Sequence, residues 1–139
     1  MPNLDQRRAA FAWERVENAA RILGGEEGKQ SKAYESYKNL AKAAPALIMN
    51  NGLMQTLAFF WSKGNEHDPK KKEKGPDHHD LLRADILAWL HGSDVAVPVP
   101  ASYQDAMRFL HSEATSEQYR LATEEAMHLL RWIRQFADS

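Results

Sequence analysis

Residues 115–136, TSEQYRLATEEAMHLLRWIRQF, carry the clearest helical pattern of the chain. Its apolar side chains recur mainly at steps of three and four residues, which is the period of one face of an α-helix. They are Tyr119, Ala122, Ala126, Leu129, Leu130, Ile133 and Phe136. Thr115 and Gln118 at its start have the spacing of a capping box. The stretch therefore predicts a long amphipathic helix with one buried face.

Glycines and prolines divide the rest of the chain into further segments of helical length. These segments are residues 4–23, 31–44, 45–63, 78–91 and 102–112. Pro45 is expected to interrupt the second of them, because proline lacks the N–H that an α-helix requires. Asn51 and Gly52 tolerate a left-handed backbone, so the third segment is predicted to break there and restart at Leu53.

Residues that favour strands are scarce, since only eleven are Val, Ile or Thr. Residues 95–100, VAVPVP, are predicted to form an extended connector on the surface, because each proline disfavours helix at the residue before it. The predicted fold class is all-α, a compact single-domain helical bundle of about five to seven helices over residues 1–139. Residues 64–77, GNEHDPKKKEKGPD, have no large apolar side chain, and we predict a mobile charged loop there whose four lysines are offset by four acidic residues.

Composition excludes several classes of protein. The chain has 139 residues and no cysteine, so thiol catalysis, zinc–thiolate sites and disulfides are excluded. Its formal charge is -1, whereas an autonomous nucleic-acid binder usually carries a basic excess, so any nucleic-acid contact is expected to be a local patch. No apolar run approaches the length of a membrane span and the amino terminus is charged. A cytoplasmic location is expected.

Catalytic and metal-binding patterns are incomplete in this sequence. Glu125 and His128 have the Glu-x-x-His spacing of di-iron bundles, but a second copy is missing, so we predict a solvated pair on the outside of the helix. His78 and His79 are expected to point about 100° apart on a helix, which disfavours a shared metal ion. We therefore predict no catalytic residue, no metal site and no cofactor.

Basic and aromatic side chains are the features of this sequence that indicate a binding function. Arg120, Arg131 and Arg134 share one angular sector of the last helix, and Arg120 and Arg131 lie roughly 16 Å apart along its axis. Lys38 and Lys42 lie on the outward face of the second segment. The alternative for the arginines is a solvated face paired with glutamates. Four tryptophans exceed the need of a small core and are equally compatible with an interface.

Three blocks of sequence resemble a known family. They are residues 5–9 (DQRRA), residues 37–63 with Pro45, Ile48 and Asn51-Gly52-Leu53, and residues 119–137, which end in Trp132, Phe136 and Ala137. In this order they are similar to the small helical subunit of the Cmr-type (type III-B) CRISPR RNA-silencing effector complex. The predicted loop 64–77 and the segments 78–91 and 102–112 match none of these motifs.

The resemblance implies a non-catalytic helical subunit that stacks in copies along a larger ribonucleoprotein and contacts single-stranded target RNA and guide RNA there. Its partners would be the other protein subunits, further copies of itself and RNA, without a membrane. The side chains expected to contact phosphates are Lys38, Lys42, Lys63, Arg120, Arg131 and Arg134. Two alternatives stay open: a helical protein–protein adaptor that uses the tryptophans with Met49 and Met54, and a small metal-dependent enzyme that uses Glu125 and His128.

Overall fold

The long carboxy-terminal helix is present in the computed structural model, which describes residues 1–92 and 94–139. This helix, α7 (Ser116–Ala137), begins with a capping box: the Thr115 and Gln118 side chains each accept the other's backbone N–H. Ala122, Ala126, Leu129, Leu130 and Ile133 on its apolar face are completely buried. The predicted amphipathic helix is confirmed.

In the ranges that the structure describes, six further helices precede α7. They are α1 (Leu4–Gly24), α2 (Lys32–Asn51), α3 (Leu53–Lys63), α4 (Pro69–Lys72), α5 (His78–His91) and α6 (Tyr103–Arg108). A 3-10 segment over Gly25–Gln30 links α1 to α2, and a π-helical turn over Phe109–Glu113 continues α6. Helices include 79% of the residues, and the described ranges contain no strand. The all-α prediction is confirmed.

Pro45 does not interrupt α2, so the predicted boundary there is wrong. The helix continues from Lys32 to Asn51 with Pro45 inside it. Proline removes one helical hydrogen bond, but Tyr37, Ala41, Ala44 and Ile48 bury the same face on both sides of it. Packing of that continuous face offsets the missing bond.

The break at Gly52 is confirmed. Gly52 has φ 89°, its N–H donates to the carbonyl of Ile48, and α3 begins at the next residue. A glycine adopts this backbone without a side-chain clash. Leu53, Leu57 and Phe60 then point into the core and are completely buried.

The helices pack around α7, α2 and α5. Helix α7 contacts α1, α2 and α5, while α5 also contacts α2 and α3. The connector at residues 95–100 was predicted on the surface, but Val97 and Val99 are buried in the same apolar cluster as the helices. Alternate residues of this extended connector turn inward: Val97 and Val99 are buried, whereas Ala96 and Pro98 are exposed.

The segment between α3 and α5 is attached to the bundle at both ends. The backbone N–H groups of Asn65 and Glu66 donate to the Asp80 carboxylate at 2.7 and 3.3 Å. The Asn65 side-chain amide donates to the carbonyl of Gly75 at 2.9 Å. The short helix α4 lies between Asn65 and Gly75, in the charged part of the segment. The mobility of residues 64–77 stays a prediction.

Deletion of residues 68–74 is expected to leave the fold intact. Asn65 and Gly75 would become the first and fourth residues of a four-residue turn, positions that Asn and Gly favour, and they already lie within hydrogen-bond distance. We expect the free energy of unfolding to change by less than about 1 kcal/mol. Urea unfolding followed by circular dichroism measures it, and loss of helix in the shortened chain would contradict the prediction.

Candidate nucleic-acid interface

Two helices, α2 and α7, lie antiparallel and form the surface that carries most of the predicted contact residues. The Tyr34 hydroxyl near the start of α2 donates to the carbonyl of Ala137 at the end of α7, at 2.9 Å. At the other end, the N–H of Met54, just after α2, donates to the Tyr119 hydroxyl oxygen at 3.1 Å. The outward faces of the two helices therefore share one side of the molecule.

Lys38 and Lys42 meet the carboxy-terminal end of α7. Their ammonium groups lie 3.9 and 3.3 Å from one Asp138 carboxylate oxygen. Arg134 is four residues before Asp138 and so lies on the same side of the helix, with Arg131 one turn earlier. The structure therefore brings Lys38, Lys42, Arg131 and Arg134 to one end of the α2–α7 surface.

Arg131 and Arg134 are both exposed. Among residues 1–92 and 94–139, no carboxylate lies within ion-pair distance of either guanidinium. Asp138 is thus the only acidic group that an ion pair places at this end of the surface in the described ranges. Glu35 lies one turn before Lys38 on α2. Even when it is counted with Asp138, the four cationic side chains leave a local basic excess, although the whole chain is nearly neutral.

Arg120 lies at the far end of α7 and is paired with acidic residues. Its guanidinium bonds Glu117, and it also donates to Glu124 at 2.5 Å. These two carboxylates raise the pKa of Arg120. Arg120 therefore fits the alternative that the sequence left open, a solvated face paired with glutamates. Arg131 and Arg134 do not fit it.

Lys63 lies elsewhere, in the last turn of α3. Its ammonium is 5.9 Å from the centre of the Phe59 ring, in a cation–π contact. No hydrogen bond or ion pair within the described ranges connects it to α2 or α7. The six predicted residues thus form one cluster of four, with Arg120 and Lys63 apart from it.

Glu125 was predicted to be solvated, and that prediction is wrong. It is 8% exposed, and its two oxygens accept from the Arg8 guanidinium at 2.6 and 2.8 Å. The Trp89 indole N–H also donates to it, at 2.8 Å. Burial raises the pKa of Glu125, but these donors outweigh burial and hold the pKa below its ordinary value. Glu125 joins α1, α5 and α7, and its oxygens are already occupied by these donors.

A second buried carboxylate, Asp85, joins α5 to α1 and α2. It accepts from Arg15 at 2.7 Å and from the Tyr37 hydroxyl at 2.8 Å. Burial raises the pKa of Asp85 to about 6 and outweighs the opposite effects of Arg15 and Tyr37. The sequence did not predict the contact of Asp85 with Arg15 or with Tyr37, because residues 70 and 48 positions apart share no local pattern.

Asp85 is expected to make stability fall as pH rises from about 4 to about 6. In that window the folded chain keeps the Asp85 proton and the unfolded chain releases it, because the folded pKa lies above the ordinary value. The free energy of unfolding of the wild type minus that of Asp85→Asn should fall on the order of 2–3 kcal/mol across the window. Urea unfolding at several pH values measures the difference. A pH-independent difference, equal to that for exposed Asp105→Asn, would contradict it.

The comparison with protein families decides the identity of the chain. Residues 4–139 match the family model of CRISPR-associated protein (Cas_Cmr5). The chain belongs to this family. Cas_Cmr5 proteins are subunits of the Cmr (type III-B) CRISPR complexes, so the resemblance found in the sequence is confirmed.

In this Cas_Cmr5 chain, the two adjacent histidines of α5 lie closer together than expected. The ring centroids of His78 and His79 are 4.1 Å apart, and with Asp77 their ligand atoms lie within 4.8 Å of one another. Asp77, however, caps α5 by accepting the N–H of Asp80 at 3.1 Å. The positive end of the helix dipole at this position opposes a cation.

The tryptophans of the Cas_Cmr5 chain divide between core and surface. Trp89 is buried, Trp61 and Trp132 are half-buried, and Trp13 is 52% exposed. An open cavity of about 570 Å³ lies along α2 and α3 and is lined by Leu47, Asn51, Gln55, Thr56, Ala58, Phe59 and Ser62.

None of the helices in residues 1–92 and 94–139 is long and apolar enough to cross a membrane.

Proposed function

We propose that this chain is the non-catalytic small subunit of a type III-B CRISPR effector complex, which stacks in copies along the complex and contacts the backbone of target and guide RNA. The observation that carries the proposal is the cluster of Lys38, Lys42, Arg131 and Arg134 at one end of the α2–α7 surface. Membership of the Cas_Cmr5 family supplies the Cmr complex as its setting.

The charge of the chain suits a subunit that acts inside an assembly. Each copy presents a few cationic groups, and stacked copies would place these groups along one RNA strand. Linked weak sites gain affinity through effective concentration, so no single copy needs a strongly basic surface. Contacts with phosphates carry no sequence information, which suits a complex that takes many target sequences in cytoplasmic antiviral defence.

A non-catalytic role is supported by what the polar side chains already do. The oxygens of Glu125 accept from Arg8 and Trp89, and the buried Asp85 accepts from Arg15 and Tyr37. These acidic groups hold helices together, and neither is free to bind a metal ion or move a substrate proton. In the proposed complex, RNA cleavage belongs to other subunits.

A salt titration of RNA affinity tests the proposal. The variant Lys38→Ala, Lys42→Ala, Arg131→Ala, Arg134→Ala, built into the effector complex at equal occupancy, is expected to bind target RNA about tenfold or more weakly. For each copy of the subunit that contacts the RNA, the slope of log affinity against log salt should flatten by up to about 3, because each lost contact to single-stranded RNA removes about 0.7. The loss should be the same for unrelated target sequences, since the contacts are electrostatic.

Two control proteins accompany this variant. Arg21→Ala, Lys29→Ala, Lys32→Ala, Arg108→Ala removes the same charge at exposed or half-exposed positions outside the cluster, and Arg120→Ala removes a cation that two glutamates already pair. Both are expected to change the slope much less. An unchanged slope in the cluster variant would sink the RNA assignment.

The second candidate function is a protein–protein adaptor without RNA contact. It is favoured by the exposed Trp13 and by the open cavity beside Phe59, since aromatic side chains are enriched at protein interfaces. Association of the chain with its complex that is insensitive to salt, combined with an unchanged RNA slope in the cluster variant, would establish this alternative.

A further inference from the structure

The segment between α3 and α5 has equal numbers of acidic and basic residues, but the two sets differ in what they contact. Its basic residues are Lys70, Lys71, Lys72 and Lys74, and its acidic residues are Glu66, Asp68, Glu73 and Asp77. Counted along the chain, the two sets cancel. In the structure, three of the four carboxylates are engaged in bonds that hold the segment in shape.

Glu66 faces α5 and not the lysines. One of its oxygens accepts from the guanidinium of Arg83 at 2.5 Å, and Arg83 is 4% exposed. A stack of side chains holds Arg83 in place: its guanidinium carbon lies 4.7 Å from the centre of the Trp61 ring, and Trp61 stacks on Tyr103 at 4.5 Å. The Glu66 carboxylate is therefore fixed at the base of the segment.

Asp68 and Asp77 are helix caps. Asp68 accepts the N–H of Lys70 at 2.9 Å at the start of α4. Asp77 accepts the N–H of Asp80 at 3.1 Å at the start of α5 and lies 3.2 Å from a His79 ring nitrogen. Glu73 is the acidic residue of the segment that no such bond engages within the described ranges.

The four lysines are exposed and lie within five consecutive positions of the chain. Within residues 1–92 and 94–139, none of their ammonium groups lies within 4.0 Å of a carboxylate. Three of them are consecutive residues of α4, so they spread around one helical turn at about 100° intervals. Lys74 lies two residues beyond the end of α4. A polyanion would offset the like charges of the four ammonium groups.

We propose that Lys70, Lys71, Lys72 and Lys74 form a second RNA-binding site, separate from the α2–α7 surface, that takes the phosphate backbone of single-stranded RNA. We call these four residues the lysine turn. Ammonium groups on flexible stems act as point charges toward phosphates and do not impose the fixed geometry of a guanidinium. The choice of RNA among polyanions rests on the proposed function.

RNA binding by the full free chain tests this site. The probe is a fluorescent single-stranded oligouridylate, titrated at several sodium chloride concentrations. The lysine-turn variant carries Lys70→Gln, Lys71→Gln, Lys72→Gln and Lys74→Gln, and a charge-matched control carries glutamine at Arg21, Lys29, Lys32 and Arg108. Circular dichroism verifies that both fold.

The lysine-turn variant is expected to flatten the salt slope by about 1.4–2, the equivalent of two or three phosphate contacts, and to bind about tenfold more weakly at low salt. The control should change both quantities less. Glu73→Gln should strengthen binding, because it removes the acidic group that no cap or buried pair engages. Equal behaviour of the lysine-turn variant and the control, or no binding of the probe by the wild type at low salt, would overturn the site.

Two further outcomes separate this proposal from the proposed function. If Lys38→Ala, Lys42→Ala, Arg131→Ala, Arg134→Ala leaves binding unchanged while the lysine-turn variant weakens it, the second site stands and the α2–α7 assignment fails. If the lysine-turn variant binds RNA normally but no longer enters the effector complex, its partner is an acidic protein surface and the RNA site is wrong.

Discussion

Glu125→Ala is expected to lower the free energy of unfolding by about 3–5 kcal/mol. The substitution leaves the Arg8 guanidinium without the carboxylate that accepts two of its hydrogen bonds, and the buried Trp89 N–H without its acceptor. Removing one partner of a largely buried ion pair costs far more than the pair contributes, because the remaining charge stays out of water. Urea unfolding measures the loss.

Glu124→Ala, one residue earlier, is the matched control. Glu124 is exposed and pairs with Arg120 on the surface, so its removal should cost no more than about 1 kcal/mol. Glu125→Gln keeps one acceptor oxygen and should fall between the two. A loss for Glu125→Ala equal to that for Glu124→Ala would mean that Arg8, Trp89 and Glu125 do not hold α1, α5 and α7 together.

Asp80→Ala is expected to have an effect of similar size, about 3 kcal/mol or more. The Asp80 carboxylate accepts the backbone N–H groups of Asp77, Asn65 and Glu66, together with the guanidinium of Arg83. Without it, these donors at the base of the segment lose their acceptor. Asp105→Ala, an exposed aspartate paired with an exposed arginine, is the control and should cost little.

A double-mutant cycle with Gly64 makes the Asp80 prediction sharper. A Cβ added at Gly64 would lie 2.1 Å from an Asp80 carboxylate oxygen, so Gly64→Ala should destabilise the wild type. In Asp80→Ala the obstacle is gone, and the added methyl group should cost less. Additive effects of the two substitutions would contradict the observed contact.

Asp80 also predicts a loss of stability in acid. Burial raises the pKa of Asp80, but its three backbone donors and Arg83 outweigh burial and hold the pKa below its ordinary value. The stabilising contribution of Asp80 is therefore complete above its unfolded pKa and disappears as pH falls through the folded one. The sign is opposite to that of Asp85, so the two variants distinguish the two carboxylates.

Local chemistry explains why the sequence predicts the helices well. The capping box at Thr115 and the break at Gly52 depend on residues at most four positions apart, which a reader of the sequence sees directly. The same reasoning failed at Pro45, because its cost is local but the compensating burial of Ala41, Ala44 and Ile48 comes from other helices.

The candidate site could be named from the sequence but not assembled from it. The cationic residues were all visible, and the family resemblance gave them a role. Which of them share a surface depends on the antiparallel packing of α2 on α7, whose contacts join residues about a hundred positions apart, such as Tyr34 and Ala137. The buried position of Glu125 depends in the same way on Arg8, 117 residues away.

The helical fold class, the lack of cysteine chemistry and the near-zero total charge can all be read from the sequence, because composition and short-range periodicity are properties of the sequence itself. Which charges remain available to a partner depends instead on how the chain packs. Glu66 and Asp77 cancel lysines in a count along the chain, yet in space they bind Arg83 and the start of α5. A charge is neutralised by the groups within a few ångströms of it, and packing brings those groups together.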